Sequence, residues 1–413
     1  MYDNGRTPPE GSHRKEGNFM RNSKGCWLQC AVAALALFCT LGLNINVFSV
    51  YLPYLTKLLE LTPSQSSGYL LVRNIVTLGG VYLAKFYYEK LNIRVGLCLT
   101  MVMAIGALYL CSIVTGFYGL CGVAVLSGLC YGLGGMYPTA ILIHRWLPRH
   151  EGVAMGICAA STGFALTIGA PILTDLIERF SLVRAMRLEM IFLAVCLGIC
   201  FLVIRNYPPG ELHYDPIRKK TSHRHKLNIS WMFLAVMCMG TMGGAFTHLT
   251  IHYTTEGIDP YKISLIISVF GLVLTVSKFL LGIFLDLWGA YRTNWLFFFC
   301  AIAGCGLFSL GSMIGFAPAM VGSVLYGIGD AIPTVGITSY ARDLSRPEDY
   351  ASTQQQYQSA NMMGSLLSTL ISGPIAAASG NYRLFYIAIA TLVVFAMVVT
   401  QITYAKKRNP RYR

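Results

Sequence analysis

Three fixed charges fall well inside stretches that are otherwise almost wholly apolar: Arg73, Lys278 and Asp330. A charge near the centre of a hydrocarbon layer costs about 2.5–3.5 kcal/mol on insertion scales, so such a residue faces a partner or a water-filled cavity. Lys278 can give a carboxylate a charge-assisted hydrogen bond, and Arg73 can give it a bidentate pair. Asp330 offers a proton site or an ion-pair partner for Lys278. Together the three leave one uncompensated positive charge, a balance that suits a monoanion. His248 and His252 stand one helical turn apart, where a proton relay, an outer-gate polar pair or a plain structural role are the alternatives. With no carboxylate or Cys beside them they are not read as a metal site.

Helical spacing tests which way these residues face. Ser268, Gly271, Thr275, Lys278 and Gly282 recur at steps of three and four, giving one small or polar stripe on a helix otherwise of Leu, Ile, Val and Phe. Similar stripes carry Tyr69, Arg73, Thr77 and Gly80, then Ser323, Gly327, Asp330 and Thr334, and then Gln358, Asn361, Ser365, Ser368 and Ser372. Close packing between helices accounts for the Ser and Gly members. Gln358 and Asn361 are candidate substrate groups, as are the hydroxyls of Tyr131 and Tyr326. Pro138, Pro171, Pro333 and Pro374 lie within apolar stretches, where a kink would let a helix bend around a cavity.

The elements that carry these residues follow from composition. Of 413 residues, 55% are hydrophobic and 12% charged, against about 25% charged in a soluble domain. A soluble globular protein is excluded. The apolar residues come in blocks of about 20, the length that crosses a bilayer core as a helix; a β-barrel would need short alternating strands instead. The net charge of +14 has no soluble basic module behind it, so nucleic acid is not a partner. Thirteen cysteines, nearly all inside apolar blocks and without a CxxC pair, carry no metal or disulfide signal. No nucleotide loop, metal cluster or Ser/His pairing supports an enzyme, and no cofactor is expected.

Twelve spans are expected, beginning near Trp27, Ser67, Val95, Tyr118, Gly152, Met186, Ile229, Lys262, Thr293, Ala317, Gln354 and Arg383. The division is a tail over 1–26, a six-helix half over 27–205, a central loop over 206–228, a second half over 229–404 and a tail over 405–413. The prolines and charges of the central loop stop a helix and cannot enter lipid. With both termini placed in the cytoplasm, 24 Lys and Arg residues lie inside and 6 outside, the bias expected of a multi-pass protein of a cell membrane. The fourth block reads YGLGGMYPT from Tyr131 and the tenth YGIGDAIPT from Tyr326, five identities in nine at an offset of 195. Six spans is an even number, so the halves are parallel repeats about an axis along the membrane normal, as in alternating-access carriers.

Three motifs carry a family resemblance. Gly282, Asp286, Gly289 and Arg292 resemble the GxxxD(R/K)xG loop of the major facilitator superfamily, whose worn first-half copy is Glu89, Lys90 and Arg94. Trp146 to Gly156, WLPRHEGVAMG, is similar to the WFPxRRGxAxG signature of the oxalate/formate antiporter and monocarboxylate porter group, and RNYPPGE from Arg205 is also like that group. The resemblance implies the superfamily's all-α membrane fold of two six-helix halves, and a latch at Glu89, Arg94, Asp286 and Arg292 that gates the cytoplasmic side. It also implies transport of a small organic carboxylate, by proton symport or anion exchange, through a carrier expected to act as a monomer. The group's essential cation stands eight residues before the motif Asp, which here is Lys278 in place of the usual Arg. The expected site therefore holds Lys278, Arg73, Asn361, Gln358, Tyr131 and Tyr326 for substrate, with Asp330 and His248 for protons or ion pairing. The alternative keeps the fold and carries a neutral or cationic solute, with Asp330 as the recognition or proton group.

Overall fold

Continuous apolar blocks broken by Gly, Pro and short polar turns can satisfy their backbone polar groups in lipid only as helices, and helices are what form. In the computed structural model, residues 23–61, 63–208, 231–246, 248–249, 252–253, 256–258, 260–310 and 315–408 are described. The two expected tails and the central loop fall largely outside them, as does the expected span start at Ile229.

Span one runs as an α-helix over Ser23–Leu37, a π-helix over Phe38–Asn46, a 3-10 turn over Val47–Val50 and an α-helix over Tyr51–Leu58. Spans two, three, five and six are single helices: Pro63–Lys90, Ile93–Ile113, Glu151–Arg179 and Leu182–Val203. Span four is two pieces, Phe117–Gly134 and Met136–Trp146, broken at Gly135. Span seven contains Trp231–Phe246. Spans eight and nine share the helical run Pro260–Leu310, which breaks at Gly289 with φ 73°. The chain turns back there, because the rings of Phe284 and Phe297 lie 6.3 Å apart across the break, where a straight helix would separate the residues by about 20 Å. Span ten is Phe316–Gly329, a π turn over Ile332–Gly336 and Ile337–Leu344; spans eleven and twelve are Tyr350–Ser379 and Arg383–Arg408.

Eight of the described helical stretches are long and apolar enough to cross a membrane, and one of these, Leu265–Leu310, is the folded-back pair of spans eight and nine. Spans two and eleven fall short because Arg73 and the Gln, Asn and Ser stripe lower their hydropathy. Observed starts fall within about one helical turn of those expected. The internal repeat is structural as well: both copies break the helix at the same register, Gly135 in one and Asp330 in the other. By contrast, the helices run on through Pro171 and Pro374.

Small residues set the closest approaches within each half. A Cβ on Gly132 would meet the Thr77 carbonyl between spans two and four, and one on Gly240 would meet the Asn361 backbone between spans seven and eleven. Such contacts substitute in lipid for the hydrophobic drive of a soluble core.

Candidate functional site

The polar stripe of span eight packs against span five. Thr275 faces Gly163, Gly156 sits against the carbonyls of Lys278 and Phe279, and Gly282 meets Gly152. Lys278 is 7% exposed despite its charge, so the spacing argument placed it correctly inside the protein. Its Nζ donates to Thr162 Oγ1 of span five at 3.3 Å, using one of its three donors. No carboxylate among the described residues lies within ion-pairing distance of Nζ, although the charges of Lys278 and Asp330 act on each other. Asp330 is buried at the break of span ten, and its Oδ1 has no hydrogen-bond partner. The two charges face each other without closing into a pair.

Between the halves lies a small cavity of about 40 Å³. Leu41, Val81, Tyr131 and Tyr137 line it from the N-terminal half, and Thr334, Gln358 and Asn361 from the C-terminal half. Gln358 Nε2 and Asn361 Oδ1 are buried without partners, one donor and one acceptor open to a ligand. Tyr131, Gln358 and Asn361 thus come together on the cavity wall, while Arg73, Lys278 and Tyr326 are not on it. Arg73 stacks over the Tyr69 ring at 5.8 Å, and its charge reaches Tyr131. Asp330 stands three residues before the cavity residue Pro333, and Lys278 is held on the span-five side by Thr162. Tyr326 donates its hydroxyl to Met242 O at 2.7 Å, which ties span ten to span seven. His248 Nε2 lies 3.0 Å from Ser372 Oγ and its ring stacks on Tyr382, away from the cavity.

The latch lies at the end of the bundle that the basic residues assign to the cytoplasm. Asp286 Oδ1 and Oδ2 accept from the amides of Gly152 and Val153 at 3.1 and 2.9 Å, at the start of the span-five helix. Those first amides have no partner within their own helix, and its dipole favours a negative charge there. Arg342 Nη1 bridges Asp286 and Glu151 at 3.9 Å each. Glu151 is 1% exposed and also holds His144 Nδ1 and the Tyr350 hydroxyl, both at 2.9 Å. Lys85 donates to Ser352 Oγ at 2.6 Å, and Gln355 to the Tyr82 carbonyl, joining spans two and eleven.

The expected latch cations are placed differently. Arg292 is exposed, because the chain turns at Gly289 between it and Asp286. Arg94 stays within its own half, its amide on Asn206 Oδ1 and its guanidinium 4.4 Å from the Phe201 ring centroid. Glu89 is a half-exposed neighbour of Lys85 at 3.9 Å. Arg342, Glu151 and Tyr350 do the bridging, and of these only Glu151 stood within a recognised motif.

The charge balance inside the spans also needs correcting. Glu189 of span six is buried and accepts from the Tyr51 hydroxyl at 2.6 Å. Glu189 adds a fourth titratable group inside the spans beside Arg73, Lys278 and Asp330, so the formal balance depends on whether it holds a proton and no longer argues by itself for an anion. Any such argument now rests on the local environment of Lys278.

No curated protein matches the chain at a significant level. Among solved structures, it resembles the Major Facilitator Superfamily transporter FucP in the outward conformation, with a TM-score of 0.70 and 14% identity over 92% of this chain and 99% of that one. It also resembles the proton:xylose symporter XylE bound to 6-bromo-6-deoxy-D-glucose, with a TM-score of 0.73 and 12% identity over 91% and 95%. At these identities the likeness shows the fold alone. The sequence itself matches the description Major Facilitator Superfamily over residues 33–368, and the chain belongs to that family: it is a multi-pass membrane transporter of small molecules, not an enzyme.

Proposed function

We propose that the chain is a secondary carrier of a small organic carboxylate, moving it by alternating access across a cell membrane as a proton symporter or anion exchanger. The observation that carries this is Lys278. A buried ammonium held by one neutral hydroxyl, with no carboxylate within pairing distance among the described residues, is suited to receive a carboxylate through charge-assisted hydrogen bonds. Tyr131, Gln358 and Asn361 would orient the rest of the solute in the adjoining cavity. Arg73, behind Tyr131, adds a favourable field from the other half. Asp330 is assigned as the counter-charge or proton site.

The test is uptake in proteoliposomes, with solutes chosen by a thermal-shift screen of mono- and dicarboxylates at two pH values. Lys278→Ala should abolish uptake of the carboxylate that scores, and Lys278→Arg should retain part of it. Unchanged uptake in the Ala variant would overturn the site. A second reading, a neutral solute recognised by hydrogen bonds, is favoured by the uncharged amides that face the cavity. It gains the place of the first if neutral solutes shift the melting temperature and carboxylates do not.

A further inference from the structure

Glu189 takes no part in the cavity, the latch or the Lys278–Asp330 site. It lies about 10 Å along span six from the helix start at Leu182, on the side of the membrane opposite the latch. It is 7% exposed, and among the described residues it accepts from a single neutral hydroxyl, that of Tyr51, whose own side chain is fully buried. No cation lies within ion-pairing distance of it among the described residues. Arg184 and Arg187 on its own helix point outward, as do Asp175, Glu178 and Arg179 at the end of span five. On span three, the thiol of Cys111 lies within electrostatic reach of it. A carboxylate buried in this way, with one hydroxyl and no positive charge, is costly as an anion, and such groups neutralise instead.

We infer that Glu189 is a proton-binding site of the N-terminal half, held by the Tyr51 hydroxyl and separate from the Lys278–Asp330 site. The carboxylate takes one proton on Oε1 while Oε2 accepts from Tyr51, and no other bond changes. Span one ties this site to the rest of its half. Tyr51 follows directly on the π-helix and 3-10 turn of Phe38–Val50, irregular turns that mark a soft point in a helix. Phe48 lies edge-on to Tyr51 at 5.8 Å and stacks with Tyr69 at 5.7 Å, and Tyr69 carries Arg73. Movement of the outer end of span one withdraws Tyr51 and opens Glu189 to water, where exposed glutamates ionise. Proton release is thereby linked to the position of span one, whichever solute the carrier moves.

Infrared spectroscopy of the full chain in lipid nanodiscs, titrated through neutral pH, tests this without a substrate, so its outcome is independent of the carboxylate reading. The expected result is a protonated-carboxyl carbonyl band at neutral pH that disappears in Glu189→Gln and persists in Asp330→Asn. In Tyr51→Phe the band should move to higher frequency, because its hydrogen bond is gone. Absence of the band from the unaltered protein overturns the inference, as does its survival in Glu189→Gln. Should Glu189→Gln fail to fold, Tyr51→Phe decides: an unmoved band assigns the proton elsewhere.

Discussion

Asp286 of the C-terminal half accepts a hydrogen bond from the Gly152 amide of the N-terminal half at 3.1 Å, so a side chain of span eight caps the helix of span five. The cap crosses the boundary between the two halves and can exist only while their cytoplasmic ends are together.

Asp286→Asn keeps the shape and removes the charge, turning one of the two acceptors into a donor aimed at an amide. Hydrogen bonds to charged groups contribute about 1.5–3 kcal/mol. The closed state should lose that much, giving roughly 10- to 100-fold faster hydrogen exchange at the 152 and 153 amides. Equal exchange in the two proteins would show that closure does not depend on this cap.

Gly282→Ala places a methyl group against the Gly152 carbonyl, which is backbone and cannot swing aside. Spans five and eight should then part at the cytoplasmic end. Pulsed-EPR labels at the exposed positions Arg149 and Arg346 would report a longer mean distance, and carriage on encoded ketone side chains avoids the thirteen cysteines. A distance distribution like that of the unaltered protein would contradict the packing described.

Arg342 and Arg292 can be told apart by melting. Arg342→Gln leaves Glu151 and Asp286 without their shared cation and should lower stability by about 2 kcal/mol. Arg292→Gln alters an exposed side chain and should stay within about 0.5 kcal/mol. The reverse order would return the latch to the sequence motif.

Tyr326→Phe and Gln358→Leu should have opposite signatures. The first strands the Met242 carbonyl and should destabilise the protein by about 1–3 kcal/mol while leaving ligand affinity unchanged. The second removes a polar group whose Nε2 has no partner, so the empty protein should be no less stable, but the thermal shift given by ligand should shrink. Isothermal titration beside the melts separates the two effects, and a loss of affinity in Tyr326→Phe would place that hydroxyl in the site after all.

Much of the architecture was legible because lipid restricts the backbone to helices and period-3.6 stripes mark their inner faces. Lys278 and its stripe were found this way, and the structure puts them against span five. Asp286 was legible through its motif. Its partner Arg342 was not, because it lies 56 residues on in a different span and only the packing of spans five, eight and ten brings it close. Arg292 misled because sequence distance says nothing of the reversal that a positive φ at Gly289 imposes. Glu189 was hidden by its place three residues after the expected start of span six at Met186, beside the exposed Arg184 and Arg187, whereas the helix begins at Leu182 and carries it a further turn inward.

The joints between the two halves are unequal. The seam of spans five and eight is closed by ionised groups, Asp286, Glu151 and Arg342, whereas that of spans two and eleven rests on Lys85 with a serine hydroxyl and on a neutral amide. Two repeats that share a fold have therefore diverged into a bolt and a hinge. Were the two halves to part during alternating access, as proposed above, the seam without ion pairs would yield more readily than the one with them, and the cytoplasmic mouth would open along one flank of the solute before the other.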